Sequence, residues 1–373
     1  MGIPGLRLVL NKNLLSAGLI IVLGACTDRA PEPGPERGSA QLPRIEFVTS
    51  LNNPGSEDVR QSTTIALGPG GEVLFPNTMS THYLQMVGQH LPRVVAFARM
   101  GDGPGEIRAP RPIFISESLA VGFDLANLRL SYWNFEGVFR RSVSLSHTPV
   151  VDFAAGRTSE WILRLSTPKG MTIGLLDDTS GEVRTIVPPS DSFLSSEWPD
   201  AFATAAHRPA IGQWTHGVAV GNPRTYRVGL YDWNGNLRHV VSRGHGDNLP
   251  TETQVKYLMD NWRRSGRPGR SSEAERQEIF RRQPQPWFKS RIKIDGHGRY
   301  WLVGIRGDTT VADVFYGANY VGSVSVDCHN PGESWDINRD WLSIICDPPD
   351  TDDRGFDAVV KLFRIIETQA DNE

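Results

Sequence analysis

The sequence predicts an all-β protein, a β-propeller of six four-stranded blades with a short helical insertion. Three observations predict it: short β-like runs punctuated by glycine turns from Arg44 onward, two alternating kinds of hairpin, and a recurrence of about 40–50 residues. Glycine (37) and proline (26) are plentiful, because many short strands need many turns. Ten tryptophans scattered along the chain suit sheets that pack face against face. At 39% hydrophobic and 22% charged, the 373 residues have the composition of a folded globular protein. The net charge of −3 argues against broad nucleic-acid binding, which needs a concentrated positive footprint.

The first 26 residues read as an export signal. Arg7 and Lys12 supply a positive start and Leu14–Leu23 an apolar core of about ten residues, too short for a bilayer-spanning helix. The segment ends Leu23-Gly24-Ala25-Cys26 and resembles a lipobox. That resemblance implies that Cys26 takes a diacylglyceryl group and becomes the new N-terminus. Two or three acyl chains, at about 0.8 kcal/mol per buried CH₂, hold a protein on a membrane almost permanently. Thr27 stands after the cysteine where aspartate would signal retention, which by analogy points to the outer membrane of a bacterial envelope. Residues 27–43 carry Pro31, Pro33, Pro35, Gly34 and Gly38 and almost no large apolar side chain, and are expected to form an extended tether.

The propeller is expected over residues 44–373. Thr64–Phe75 reads as strand, glycine turn and strand, and Arg291–Val303 repeats it more cleanly. In the second copy Ile292 and Ile294 face one way and Arg291 and Lys293 the other, the alternation of a half-buried strand. The second hairpin type recurs at Leu128–Ser144 around Glu136-Gly137, at Thr172–Val187 around Ser180-Gly181, and at Tyr226–Val241 around Asn234-Gly235. Asparagine and glycine both tolerate the positive φ that such tight turns require. Residues 188–209 are polar and proline-broken and read as a long loop. Residues 251–283 read as helical: Thr251 with Gln254 makes a capping box, Val255, Leu258, Met259 and Trp262 share one face, and Ser272 with Glu275 starts a second helix.

These residues carry a family resemblance. Gly101–Pro110 (GDGPGEIRAP), Leu119–Asp124, Asn127–Trp133 and Gly137 together resemble one NHL-type repeat. More broadly, residues 44–373 are similar to bacterial six-bladed β-propeller lipoproteins that carry a G-x-G-P-G-E-F element, with Ile107 where that family has phenylalanine. Arg243–Asp247 resembles a degenerate second copy of the glycine loop, and Val314–Val324 and Ala358–Ile366 resemble the last blades. The resemblance implies a six-bladed ring on a lipid-modified N-terminus. Six blades of about 50 residues fit the mature length once the insertion is set aside, and seven is the competing count.

Candidate sites follow from the residues. The Gly101–Glu106 loop lacks the Lys-Ser/Thr of a phosphate cradle and reads as a crossing turn between blades. Between Thr251 and Lys289 nine Lys/Arg stand against five Asp/Glu, which makes Trp262, Arg263 and Arg264 candidates for a partner-binding insertion. The alternative is a decorated loop whose charges are merely solvated. Cys328 and Cys346 remain after Cys26; the options are a disulfide, two buried thiols, or two cysteines too far apart to meet. Asp124, Asp152, Asp232 and Asp295 either line a central channel, where related propellers hold a metal, or serve as turn residues. The nine histidines show no H-E-x-x-H, and no G-x-S-x-G occurs. No catalytic residue or cofactor is assigned. The expected role is a binding module for a protein, peptide or glycan, anchored to the membrane and not a partner of nucleic acid. A metal-dependent lactonase or lyase, with its site in the channel, is the other reading.

Overall fold

The computed structural model describes residues 41–51, 65–76, 82–87, 95–115, 119–145, 149–157, 159–188, 209–243, 248–264, 272–283, 285–289, 291–328, 331–346 and 359–368. Cys26, the tether up to residue 40, most of the 188–209 loop and residues 244–247 of the second glycine loop lie outside the described residues. Those described form six small antiparallel sheets in a ring. The chain starts with β1 (Arg44–Leu51) and then builds the first blade from β2 (Ala66–Leu67), β3 (Val73–Pro76), β4 (His82–Val87) and β5 (Val95–Met100). A fifth strand, β6 (Glu106–Ile107), joins that sheet parallel to β5, an addition to the expected four. The second blade is β7 (Pro110–Ile115), β8 (Leu119–Asp124), β9 (Arg129–Asn134) and β10 (Phe139–Ser144). The third is β11 (Val150–Ala155), β12 (Glu160–Thr167), β13 (Gly170–Asp177) and β14 (Val183–Val187). The fourth is β15 (Ala210–Trp214), β16 (Gly217–Asn222), β17 (Arg227–Asp232) and β18 (Leu237–Ser242).

Two helices follow, α1 (Glu252–Arg264) and α2 (Glu273–Arg282). The fifth blade is β19 (Lys293–Ile294), β20 (Arg299–Arg306), β21 (Thr309–Tyr316) and β22 (Asn319–Val326). The sixth takes β23 (Pro331–Ile337), β24 (Trp341–Cys346) and β25 (Val359–Ile366), and its outer strand is β1. The two ends of the body are thus zipped into one sheet, from Arg44 opposite Ile366 to Leu51 opposite Val360. The first strands β2, β7, β11, β15, β19 and β23 each neighbour the next, and β23 returns to β2. Radial repetition leaves only short inner edge strands, protected around the axis.

The hairpins fall where glycine permits them: Gly137, Gly181 and Gly235 all sit at positive φ in the outer turns. Between blades the faces are filled by apolar side chains, including the fully buried Trp133, Trp301 and Trp335. Packing between neighbouring sheets is what each blade lacks alone, because a four-stranded sheet exposes two faces.

Polar ties reinforce the seams. Between the second and third blades, Tyr132 Oη donates to Asp178 Oδ2 (3.0 Å), and Arg141 bridges to the same oxygen (2.8 Å). The Arg141 guanidinium lies 3.9 Å from the centre of the Tyr132 ring. Arg299, almost wholly buried, links the fifth blade to the chain ends: its Nε donates to Asp295 Oδ2 (2.7 Å) and its terminal nitrogens donate to both Glu367 oxygens (2.9 and 2.6 Å).

Cys328, just past β22, and Cys346, at the end of β24, form a disulfide with Cα atoms 5.4 Å apart. It joins the fifth blade to the sixth. The 18-residue separation sets a loop-closure contribution of about 3 kcal/mol. The double variant Cys328→Ser/Cys346→Ser is therefore expected to unfold at clearly lower urea, and reduced wild type to match it. A loss below about 1 kcal/mol would contradict that account.

Candidate functional site

Antiparallel blades sort their connections onto two faces. The turns joining first to second and third to fourth strands share one face; those joining second to third strands share the other with the connections between blades. The chain enters the body beside Arg299, where Gln41 O accepts from Nη1 (3.4 Å), on the first of these faces. The helical insertion, a connection between blades, lies on the second.

That insertion is seated on its neighbour. Thr251 Oγ1 meets Asp308 Oδ1 (2.6 Å), and Gln254 Nε2 donates to Gly307 O (2.6 Å), both in the β20–β21 turn. Both expected caps form: Thr251 N–H donates to Gln254 Oε1 (2.9 Å), and Ser272 and Glu275 exchange their bonds. Val255 and Met259 are buried, while Leu258 and Trp262 are half-buried. Three of the insertion's arginines pair with its own carboxylates. Arg263 bridges Asp260 (2.7 Å) and Glu273, Arg281 bridges Glu252 (2.9 Å), and Arg282 bridges Glu278 (2.6 Å). Arg276 lies 5.8 Å from the Trp262 ring centre. The Arg264 side chain lies outside the described residues. Trp262 and Arg263 thus sit on one insertion, in which Arg263, Arg281 and Arg282 have carboxylate partners.

The glycine loop is a turn. Glu106 Oε2 accepts from the Gly103 N–H (2.8 Å), and Arg129 donates to the carbonyls of Asp102 (2.9 Å), Gly103 (3.0 Å) and Glu106 (2.7 Å). A phosphate cradle points amides inward; here carbonyls converge on a guanidinium, the opposite polarity.

Of the four aspartates considered for a channel, three hold turns. Asp124 accepts from the Arg108 and Ala109 N–H groups (both 3.2 Å) and from Asn127 Nδ2 (2.8 Å). Asp232 binds Asn236 and Arg238, and Asp295 accepts from the His297 and Arg299 N–H groups (2.9 and 3.0 Å). Only Asp152 reaches toward the axis from a first strand, where Arg164 meets it at 3.0 Å. Arg164, 2% exposed, also donates to Pro209 O at the start of the fourth blade.

The axis holds two residues not singled out in the sequence. Asp336 on β23 accepts from Lys293 Nζ through Oδ1 (2.8 Å) and from the Leu67 N–H through Oδ2 (2.9 Å). Ser334 Oγ accepts from the Ile65 N–H (2.6 Å). Lys293 was expected on the wet side of a half-buried strand. Its side chain instead turns inward, because the polar face of a first strand looks at the axis rather than at bulk water. Burial pushes its ammonium below the usual lysine range and Arg291 pushes the same way, opposed by Asp336 and Asp152. Each of these acids faces a cation, so the cluster braces blades together. Among the described residues no three His, Cys, Asp or Glu side chains come together as a metal-ligand set, and no helix is long and apolar enough to cross a membrane.

No family model matches the chain, and no curated protein matches it by sequence. Solved structures do resemble it. A member of the DUF4221 family from Bacteroides vulgatus superposes with a TM-score of 0.53 at 14% identity, covering 87% of this chain and 99% of that one. A protein described as exported, from Bacteroides fragilis, gives 0.50 at 11% identity over 87% and 96%. At such identities the likeness is one of fold alone.

Proposed function

We propose that the protein is a binding module of the bacterial cell envelope, lipid-anchored through Cys26 at the outer membrane, whose contact face carries the α1–α2 insertion. The observation that carries this reading is the placement of the insertion. It is docked on the β20–β21 turn by named hydrogen bonds, on the face opposite the one where the chain enters at Gln41. The insertion, on the face away from Gln41, is the surface offered to a peptide, a glycan or another envelope protein. The disulfide supports an oxidising compartment.

Two measurements test the reading separately. Radiolabelled palmitate should enter the wild type, and Cys26→Ser should lose both label and membrane association; an unlabelled wild type would end the anchoring claim. Crosslinking on intact envelopes should give a product that disappears when Arg263 and Arg282 are both changed to glutamate. An identical pattern in that variant would remove the insertion as the contact.

A further inference from the structure

The seam between the fourth and fifth blades repeats the tyrosine–aspartate–arginine tie found between the second and third, with additions. Tyr226 Oη donates to Asp313 Oδ2, and Arg243 bridges to Oδ1 (3.1 Å). Arg243 lies 5.7 Å from the Tyr226 ring centre, as Arg141 lies over Tyr132. One cation already balances the one buried carboxylate. This seam then adds a second: Arg306, at the end of β20, bridges Asp313 Oδ2 as well. Its Nη1 donates to Ser323 Oγ (3.3 Å), and Ser323 in turn donates to Asp313 Oδ1 (2.5 Å). Neither guanidinium has another carboxylate partner among the described residues.

The surplus positive charge is held in place and reaches solvent. Both arginine side chains are 25% exposed, against 3% for Asp313. Each guanidinium carries five N–H donors, and the bonds to Asp313 and Ser323 use only some of them. Arg243 also stacks 4.1 Å from the centre of the Tyr320 ring, which is itself 43% exposed. Asp313 holds both forks before any ligand arrives, with the Tyr226 and Tyr320 rings beside Arg243 and the Ser323 hydroxyl beside Arg306, which cuts the ordering cost of binding. The place is also marked in the fold: Arg243 leads into the insertion, and Arg306 precedes the Gly307–Asp308 turn on which α1 is seated.

We propose that this seam is an oxyanion-binding site, in which Arg306 and Arg243 hold a carboxylate, sulfate or phosphate group of a ligand beside the exposed Tyr320. Asp313 is the positioning residue: it orients both guanidiniums without touching the anion. The proposal stands apart from lipid anchoring and from the insertion's outward contact, and either can fail without it.

Purified full-length protein in detergent and low salt is titrated calorimetrically with sodium phosphate, sodium sulfate and sodium galacturonate. One equivalent of at least one probe should bind, and the ranking of the three identifies the headgroup. Arg306→Gln leaves Arg243 to balance Asp313, so it should fold and weaken binding at least tenfold. Arg306→Lys keeps the charge without the fork and should fall between. Arg141→Gln, at the corresponding tie without a surplus cation, should bind as the wild type does. Failure of all three probes, equal binding by Arg306→Gln, or an equal loss in Arg141→Gln would each overturn the proposal.

Discussion

Replacing Asp336 with alanine is expected to cost about 3–5 kcal/mol at neutral pH, the range for breaking a buried ion pair by removing one partner. The carboxylate joins three blades: its own strand β23, Lys293 on β19 and the Leu67 N–H on β2. Without it the Lys293 ammonium keeps only the attraction of Asp152, a carboxylate already bridged to Arg164, and the Leu67 amide loses its acceptor. Lysine has one escape, which is to release its proton. Burial already pushes Lys293 below the usual range, and losing Asp336 pushes it further. In the window between that lowered value and the unfolded lysine pKa of about 10.4, the unfolded chain binds the extra proton. The variant's stability should therefore rise with pH relative to wild type, so the penalty shrinks from pH 7 to pH 9.5. Asp336→Asn, which can keep an oxygen for Leu67 but not the charge, should show the same pH trend with a smaller loss. Urea midpoints for the three proteins at both pH values decide it. A penalty under about 1 kcal/mol, or one indifferent to pH, would mean that the pair does not brace the ring.

The blades were legible in the sequence because each hairpin is a local event. Gly137, Gly181 and Gly235 mark turns that only a residue tolerant of positive φ can make, and the alternating residues beside them set the strands. The helix caps were legible for the same reason, each depending on residues three apart. Turn aspartates could also have been told from an axial one. Asp124, Asp232 and Asp295 each stand at a strand end with asparagine or glycine two to four residues on, where a turn begins; Asp152 stands inside the strand Val150–Ala155, and its nearest glycine, Gly156, lies beyond that strand's end. What was not legible depends on distant pairs. Lys293 meets Asp336 because β19 and β23 are neighbours around the axis, and Arg299 meets Glu367 because the chain ends close the ring. Nothing near Lys293 in the sequence distinguishes an axial lysine from a solvated one. The charges of the insertion posed the same problem: a net positive count says nothing of Arg281 folding back onto Glu252, 29 residues away.

Gly212→Ala is expected to damage the protein at least as much, by a different physical route. Gly212 lies on β15, against the start of the fifth blade, where the Ile292 N–H donates to Ile211 O (3.2 Å). A Cβ at position 212 would lie 1.8 Å from the Ile292 carbonyl oxygen and 2.6 Å from its carbon. Those are backbone atoms, with no rotamer to yield, so one inner strand must retreat and the bond between the blades breaks. The loss should reach about 4 kcal/mol or more, the tail reserved for strain that the fold cannot relieve locally. Gly181→Ala is the control: at φ +75° a Cβ there meets nothing within 4 Å, so only left-handed backbone strain of about 1–2 kcal/mol should appear. Thermal unfolding of both variants separates crowding from conformation. Equal small losses would mean that the seam is looser than described. A large loss confined to Gly212 would follow from the ring itself, since a closed circle of blades cannot open one seam without straining the β1–β25 pairing that shuts it.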